Sequence, residues 1–246
     1  MASGADTTSI TARFLLPSMY ERGRANALSC PLWQDGALVA PTQAGSTVTI
    51  YDASNTVQVS AAAVTVTGSV ATYSYAPAST LTLGDGWREE WSLIVAGVTH
   101  VFRQDASLVR HVLHCPITDA DLFRRVSSLD PSGGDPISTL TDFQDYLDEA
   151  HVIIQNRLIG KGLRPFLVLN PSALRETYIT LTLSLIFADF ATKLNETYEM
   201  RAREWKQDYL DAWQDIRFVY DQNHDGEPDN AGRRSANPTI WLSGRY

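Results

Sequence analysis

Residues 104–123 read QDASLVRHVLHCPITDADLF, and within them the chain changes its period. Up to Arg103, apolar residues sit in short alternating runs rich in Val, Thr, Ser, Gly and Ala. From Thr118 onward they recur every three or four positions. Alternation suits a pleated strand with one buried face, and the wider spacing suits an amphipathic helix. A long stretch of strand signal followed by a long stretch of helix signal implies either an α+β fold or two separate domains. Two domains are expected, residues 1–105 and 106–230, followed by an extended segment, 231–246. A chain of 246 residues is long enough for both.

Working back from this stretch, residues 98–103 pair with 87–95 around a turn at Ala96 and Gly97. Residues 63–67 and 70–75 form a hairpin about Gly68 and Ser69, with Tyr73 and Tyr75 on one face. Residues 46–51 (STVTIY) are a strand by their β-branched content, followed by a turn at 52–55 and a further strand at 56–60. Residues 28–33 and 38–40 flank an Asp35-Gly36 turn, and 81–86 are a loop. About seven short strands with a turn every 8–12 residues predict a small antiparallel β-sandwich. Trp33 and Trp91 are its expected core aromatics.

Working forward, Thr118 with Asp121 three residues on resembles a capping box and opens a helix running to about Ser128. Residues 129–137, with two prolines and two glycines, are a loop. A second helix begins near Thr141 or Asp142 and presents Phe143, Tyr146, Leu147, Ala150, Ile154 and Leu158 on one face. Gly160 and Gly162 end it. Asn170-Pro171 reads as an N-cap with proline at the first helical position, opening a third helix to about Thr192. That helix is apolar on most sides, so it is expected to be buried between neighbours. A fourth, from about Asn195 to Tyr220, carries Tyr198, Ala202, Trp205, Tyr209, Ala212, Ile216 and Val219 as a stripe. No internal repeat or low-complexity tract is present.

Composition narrows the function. A net charge of −8 and a pI near 5.1 argue against a broad nucleic-acid-binding surface. Residues 178–187, the longest apolar stretch, are too short to span a membrane. The opening MASGADTTSI has no basic start followed by an apolar run, so no secretory signal is expected. Cys30 and Cys115 suggest free thiols in a reducing compartment rather than a disulfide scaffold. His111, His114 and Cys115 lack a second cluster to complete a tetrahedral metal site. No nucleophile elbow, Walker loop or dinucleotide glycine pattern occurs, so no catalytic residue is expected.

Three features remain. Residues 221–229 (DQNHDGEPD) match the first half of a calcium loop, with Asp221, Asn223, Asp225 and Asp229 as oxygen ligands. Gly232 stands where a bidentate Glu belongs, and Pro228 disfavours a following helix. The competing reading is an Asx turn that ends the fourth helix. Asp208, Asp211 and Asp215 line one side of that helix, either as a solvated face or as a negative wall past which DNA slides. Residues 231–246 (AGRRSANPTIWLSGRY) carry Arg233, Arg234 and Arg245 and no acid. Pro238, Ile240, Trp241, Leu242 and Tyr246 give this segment an apolar, extended character. It is expected to be an arm that docks on a partner, with Arg233 and Arg234 at the rim.

The helical half resembles the head-to-tail adaptor, or connector, proteins of tailed bacteriophages. The resemblance covers about residues 116–246. It rests on ITDADL at 117–122, the long third and fourth helices, and FVYDQNHDGEPD at 218–229. It implies a four-helix adaptor bundle that assembles into a ring, typically twelvefold, below the portal protein. The C-terminal segment would reach the portal, and other surfaces would receive the stopper or tail-completion protein. DNA would pass through the ring without specific binding. The location implied is the virion neck, after assembly in the host cytoplasm. The N-terminal half is similar to the immunoglobulin-like modules that decorate phage structural proteins. Two other functions compete: a baseplate or tail decoration protein with a carbohydrate-facing sandwich, and a calcium-dependent binding module.

Overall fold

The computed structural model describes residues 9–133, 140–193, 195–228 and 233–235. It divides into two compact units, Met1–Val112 and Leu113–Tyr246. The division falls after residue 105 because the last strand of the first unit runs on to Val109.

The first unit holds ten strands: β1 (Ile10–Ala12), β2 (Ser18–Glu21), β3 (Asn26–Gln34), β4 (Ala37–Leu38), β5 (Thr42–Tyr51), β6 (Val57–Ala63), β7 (Thr65–Thr67), β8 (Val70–Tyr75), β9 (Gly84–Val95) and β10 (Val98–Val109). One sheet has the order β1-β3-β8-β7, with β4 also on β3. The other runs β2-β10-β9-β5-β6. Both sheets supply one apolar core, from Leu28, Cys30 and Leu32 on β3 to Val48 and Ile50 on β5 and Trp87, Trp91 and Leu93 on β9. Burial alternates along β9, where Trp87, Glu89, Trp91, Leu93 and Val95 all turn inward.

The expected hairpins are present. Asp35 and Gly36 join β3 to β4, and Ala96 and Gly97 join β9 to β10. Each pair has positive φ at both positions, as a two-residue turn between twisted strands requires. Three expectations need correction. Trp33 is only half-buried, because the inward set on β3 is Leu28, Cys30 and Leu32 and Trp33 is out of step with it. The Arg13 guanidinium covers its ring at 4.7 Å. Residues 84–86 belong to β9 rather than to a loop. The sheets are also not wholly antiparallel: β2 pairs with β10 in parallel, Ser18 opposite Ala106 through Glu21 opposite Val109.

The second unit contains α1 (Asp119–Arg125), α2 (Gln144–Gly160), α3 (Arg175–Lys193) and α4 (Thr197–Asp215), with short 3₁₀ turns at Ser127–Leu129, Pro165–Leu167 and Pro171–Leu174. Asp121 caps α1 by accepting the Thr118 N–H at 3.0 Å. It also ties α1 to α3 by accepting from Arg175 Nη2 at 2.7 Å. The inward face of α2 is Leu147, Ala150, Ile154 and Leu158, with Phe143 just before it. Packed against α1, α2 and α4, α3 buries an unbroken run from Thr177 to Ser184. Its hydroxyls survive burial by bonding back along the helix: Thr180 to Glu176 O (2.9 Å), Thr182 to Tyr178 O (2.8 Å) and Ser184 to Leu181 O (2.7 Å).

The fourth helix stops at Asp215, five residues short of expectation. Ile216 turns extended at ψ 133°, and β11 (Arg217–Val219) follows, pairing antiparallel with β12 (Arg233–Ser235). Competing hydrogen bonds explain the early end. Leu169 N–H donates to Val219 O (2.9 Å), Val219 N–H to the Asn170 side-chain oxygen (2.6 Å), and Asp221 N–H to Leu167 O (2.9 Å). Asn170 keeps the expected N-cap position, with Pro171 opening the 3₁₀ turn that leads into α3, but its side-chain oxygen receives β11 instead of a helix N–H. Trp213, outside the expected stripe, is the most buried side chain of α4 at 1% exposure.

Candidate functional site

Of the expected calcium ligands, Asp229 lies outside the described residues. The other three are brought together, but their oxygens are turned onto the backbone. Asp221, 4% exposed, accepts Asp225 N–H at Oδ1 (3.1 Å) and Gly226 N–H at Oδ2 (2.8 Å). Asn223 Oδ1 also accepts Asp225 N–H (3.3 Å), and Asp225 Oδ1 accepts Glu227 N–H (2.7 Å). His224 and Gly226 take positive φ, 62° and 89°, which lets the chain curl around the Asp221 carboxylate. Among the described residues no group of three or more His, Cys, Asp or Glu is placed to hold a metal ion. The hydrogen bonds of the described residues are those of a self-bonded Asx turn. The loop anchors the chain between α4 and β12, because Asp221 and Tyr220 also dock on residues 164–168. There Tyr220 Oη accepts Arg164 N–H at 2.9 Å.

Asp208, Asp211 and Asp215 are all exposed on α4. Asp211 accepts a hydrogen bond from Gln207 Nε2 (2.9 Å). Of the arm residues, Arg233 and Arg234 lie in β12, opposite Val219 and Phe218. Residues 233–235 are thus an antiparallel partner of β11 within the same chain. Pro238, Ile240, Trp241, Leu242 and Tyr246 lie outside the described residues.

Three arrangements escaped the sequence. The first is a buried polar cluster in the helical unit. Gln155 Nε2 donates to His151 Nε2 (2.6 Å), which leaves His151 Nδ1–H for the Tyr178 hydroxyl (2.7 Å). Burial holds the imidazole below its ordinary pKa, and protonating Nε2 would aim a proton at the Gln155 amide. Burial likewise raises the Tyr178 phenol, with the nearby Cys115 adding to it. Cys115 itself donates to Ile117 O (3.7 Å), and His111 pairs with Glu21 (3.2 Å), so neither forms a metal set with His114. A His–Tyr–Gln cluster at helical positions 151, 155 and 178 has no sequence signature.

The second is Glu89, fully buried in the β unit. Its two oxygens accept the Tyr20 hydroxyl (2.9 Å) and Trp91 Nε1–H (2.7 Å). Burial raises its pKa, against the hydrogen bonds from Ser18, Trp91 and Tyr20. Its inward place in the alternating run of β9 was legible, but a polar residue there was not expected. The third is an open groove of about 530 Å³ between α3 and α4. Leu181, Leu185 and Ala188 line one side, and Ala202, Lys206 and Tyr209 the other.

Among the described residues, none of these arrangements joins an activated nucleophile, a base and an open cavity. No helix among the described residues is long and apolar enough to cross a membrane. Compared with protein-family models and with curated proteins, the chain matches none.

Proposed function

We propose that the protein is a structural component of a tailed-bacteriophage virion, a head-to-tail adaptor. Copies of it form a ring below the portal, link capsid to tail and leave a channel for DNA. The observation that carries this proposal is the folding of residues 217–227. The stretch resembling the adaptor family's ending is a hydrogen-bonded turn that ties the chain after α4 to residues 164–170, and the apolar segment follows β12 in sequence. A helical unit closed in this way leaves that segment for assembly contacts. The exposed carboxylates of Asp208, Asp211 and Asp215 suit a surface that DNA passes without adhering, since carboxylates repel phosphates.

We further infer that the β unit is an immunoglobulin-type sandwich. The strand orders β1-β3-β8-β7 and β2-β10-β9-β5-β6 support it. So does the divided first strand, which is antiparallel to β3 as β1 and parallel to the last strand as β2. Such a module would decorate the neck without taking part in the ring.

Attachment tests the proposal. Chains lacking residues 235–246, and Trp241→Ala chains, should keep their helix content yet leave portal-bearing heads without tails. Tailed particles assembled on the truncated chain would overturn the arm's part in attachment, and tailed particles assembled without the chain would overturn the adaptor reading itself.

A further inference from the structure

The groove between α3 and α4 has an apolar floor and charged walls. Leu185 is half-buried in it and Ala188 is exposed, so neither is fully covered by the described residues of its unit. Tyr209 also lines it. The Tyr209 hydroxyl is buried and has no hydrogen-bond partner among the described residues. A volume near 530 Å³ lies in the range of sites that take a few large side chains.

We propose that this groove receives residues 236–246 of a second copy of the chain. Arm and groove would then form a head-to-tail contact between neighbouring subunits. The proposal rests on the adaptor-ring reading and adds to it the surface through which copies join. Two observations argue for this occupant. The segment supplies Ile240, Trp241, Leu242 and Tyr246, an apolar group concentrated enough to fill an apolar groove. The charged residues at the groove's edge, Glu196, Glu199, Arg203 and Lys206, balance, so the fit is an apolar one. Reach is sufficient. Ser235 pairs with Arg217, two residues beyond the end of α4, so the arm departs from that helix's C-terminal end. The eleven residues after Ser235 extend to at most about 36–40 Å. The 19 residues of α4 span only about 28 Å, so the arm is long enough to leave its own helical unit.

Seated as an extended strand, the arm lays alternate side chains on the groove floor. Trp241 is the natural anchor, since buried tryptophan dominates many interfaces. Because arm and groove are different patches, the contact is heterologous, and it generates a ring if the rotation between copies closes.

Complementation tests this. One variant keeps its arm but has the groove filled by Ala188→Trp, a change at an exposed position. The other keeps its groove but ends at Ser235. Circular dichroism should show unchanged helix content in both. By light scattering, each variant alone should associate at least tenfold more weakly than the intact chain, and an equimolar mixture should form one-to-one pairs. A synthetic peptide of residues 236–246 should bind the truncated chain and dissociate those pairs. The proposal is overturned if the mixture stays unpaired, or if the truncated chain associates as the intact chain does. In the second case, if the truncated chain also forms rings on the portal, the adaptor reading stands and only the arm-in-groove contact fails. If the intact chain forms no ring with the portal, it is the adaptor reading that fails.

Discussion

Replacing Asp221 by alanine removes the acceptor around which residues 221–227 curl. Gly226 N–H loses its bond at 2.8 Å. Asp225 N–H loses one at 3.1 Å but keeps a weaker one to Asn223 Oδ1 at 3.3 Å. Hydrogen bonds to a charged group contribute about 1.5–3 kcal/mol each. With one bond lost outright and the other partly compensated, the expected cost is about 2–4 kcal/mol. For a unit of this size that lowers the melting temperature by roughly 10 °C. The assay is thermal unfolding followed by helical circular dichroism, in calcium and in chelator. The turn makes the loss equal in both. A loop holding calcium at 100 times its Kd would instead gain about 2.7 kcal/mol from the ion. The structural reasoning is refuted if Asp221→Ala melts like the wild type in chelator and below it only in calcium.

Three further outcomes are expected. His151 is held below its ordinary pKa by burial. Below about pH 6.5 the unfolded chain therefore binds the proton more readily than the folded one, and stability falls with falling pH. His151→Gln should flatten the urea-denaturation profile of the helical unit between pH 7 and 5; an unchanged slope would contradict this assignment. Trp213→Ala removes a fully packed ring that carries Arg157 at 4.6 Å and Lys161 at 5.2 Å. It should cost about 3–5 kcal/mol in the same measurement, and a loss below 1 kcal/mol would refute its place in the core. Asp208→Asn, Asp211→Asn and Asp215→Asn, at exposed positions, should each shift stability by no more than about 0.5 kcal/mol. Neither the wild type nor the triple variant should retard duplex DNA at physiological salt.

The parts of the fold that local chemistry dictates were legible. Asp35-Gly36, Gly68-Ser69 and Ala96-Gly97 mark their turns because few residue pairs tolerate such backbones, and α2 shows its face by spacing alone. What long-range pairing dictates was not. β2 (Ser18–Glu21) has little strand propensity; it becomes a strand because β10 offers a free edge nearly ninety residues away. Past Arg103, Gln104 and Asp105 interrupt the apolar pattern, so the continuation of β10 to Val109 was hidden. Ile216 and Val219 continue the helical stripe of α4, yet Leu167, Leu169 and Asn170 bind that segment as extended chain. Trp213 lies four residues after Tyr209, a spacing that could have found it. At the candidate site, the pattern of residues 221–226 was visible but its meaning was not. The same alternating oxygens serve a cation or the backbone, and the spacing of residues alone is common to both.

The central claim is that copies of the chain assemble on a portal. Native mass spectrometry of the purified protein, alone and mixed with a purified phage portal ring, tests this most directly. The account predicts a discrete complex in which many copies, about twelve, add to the portal and none remains bound singly. A chain that stays monomeric beside an intact portal ring, with no added mass on that ring, would contradict it.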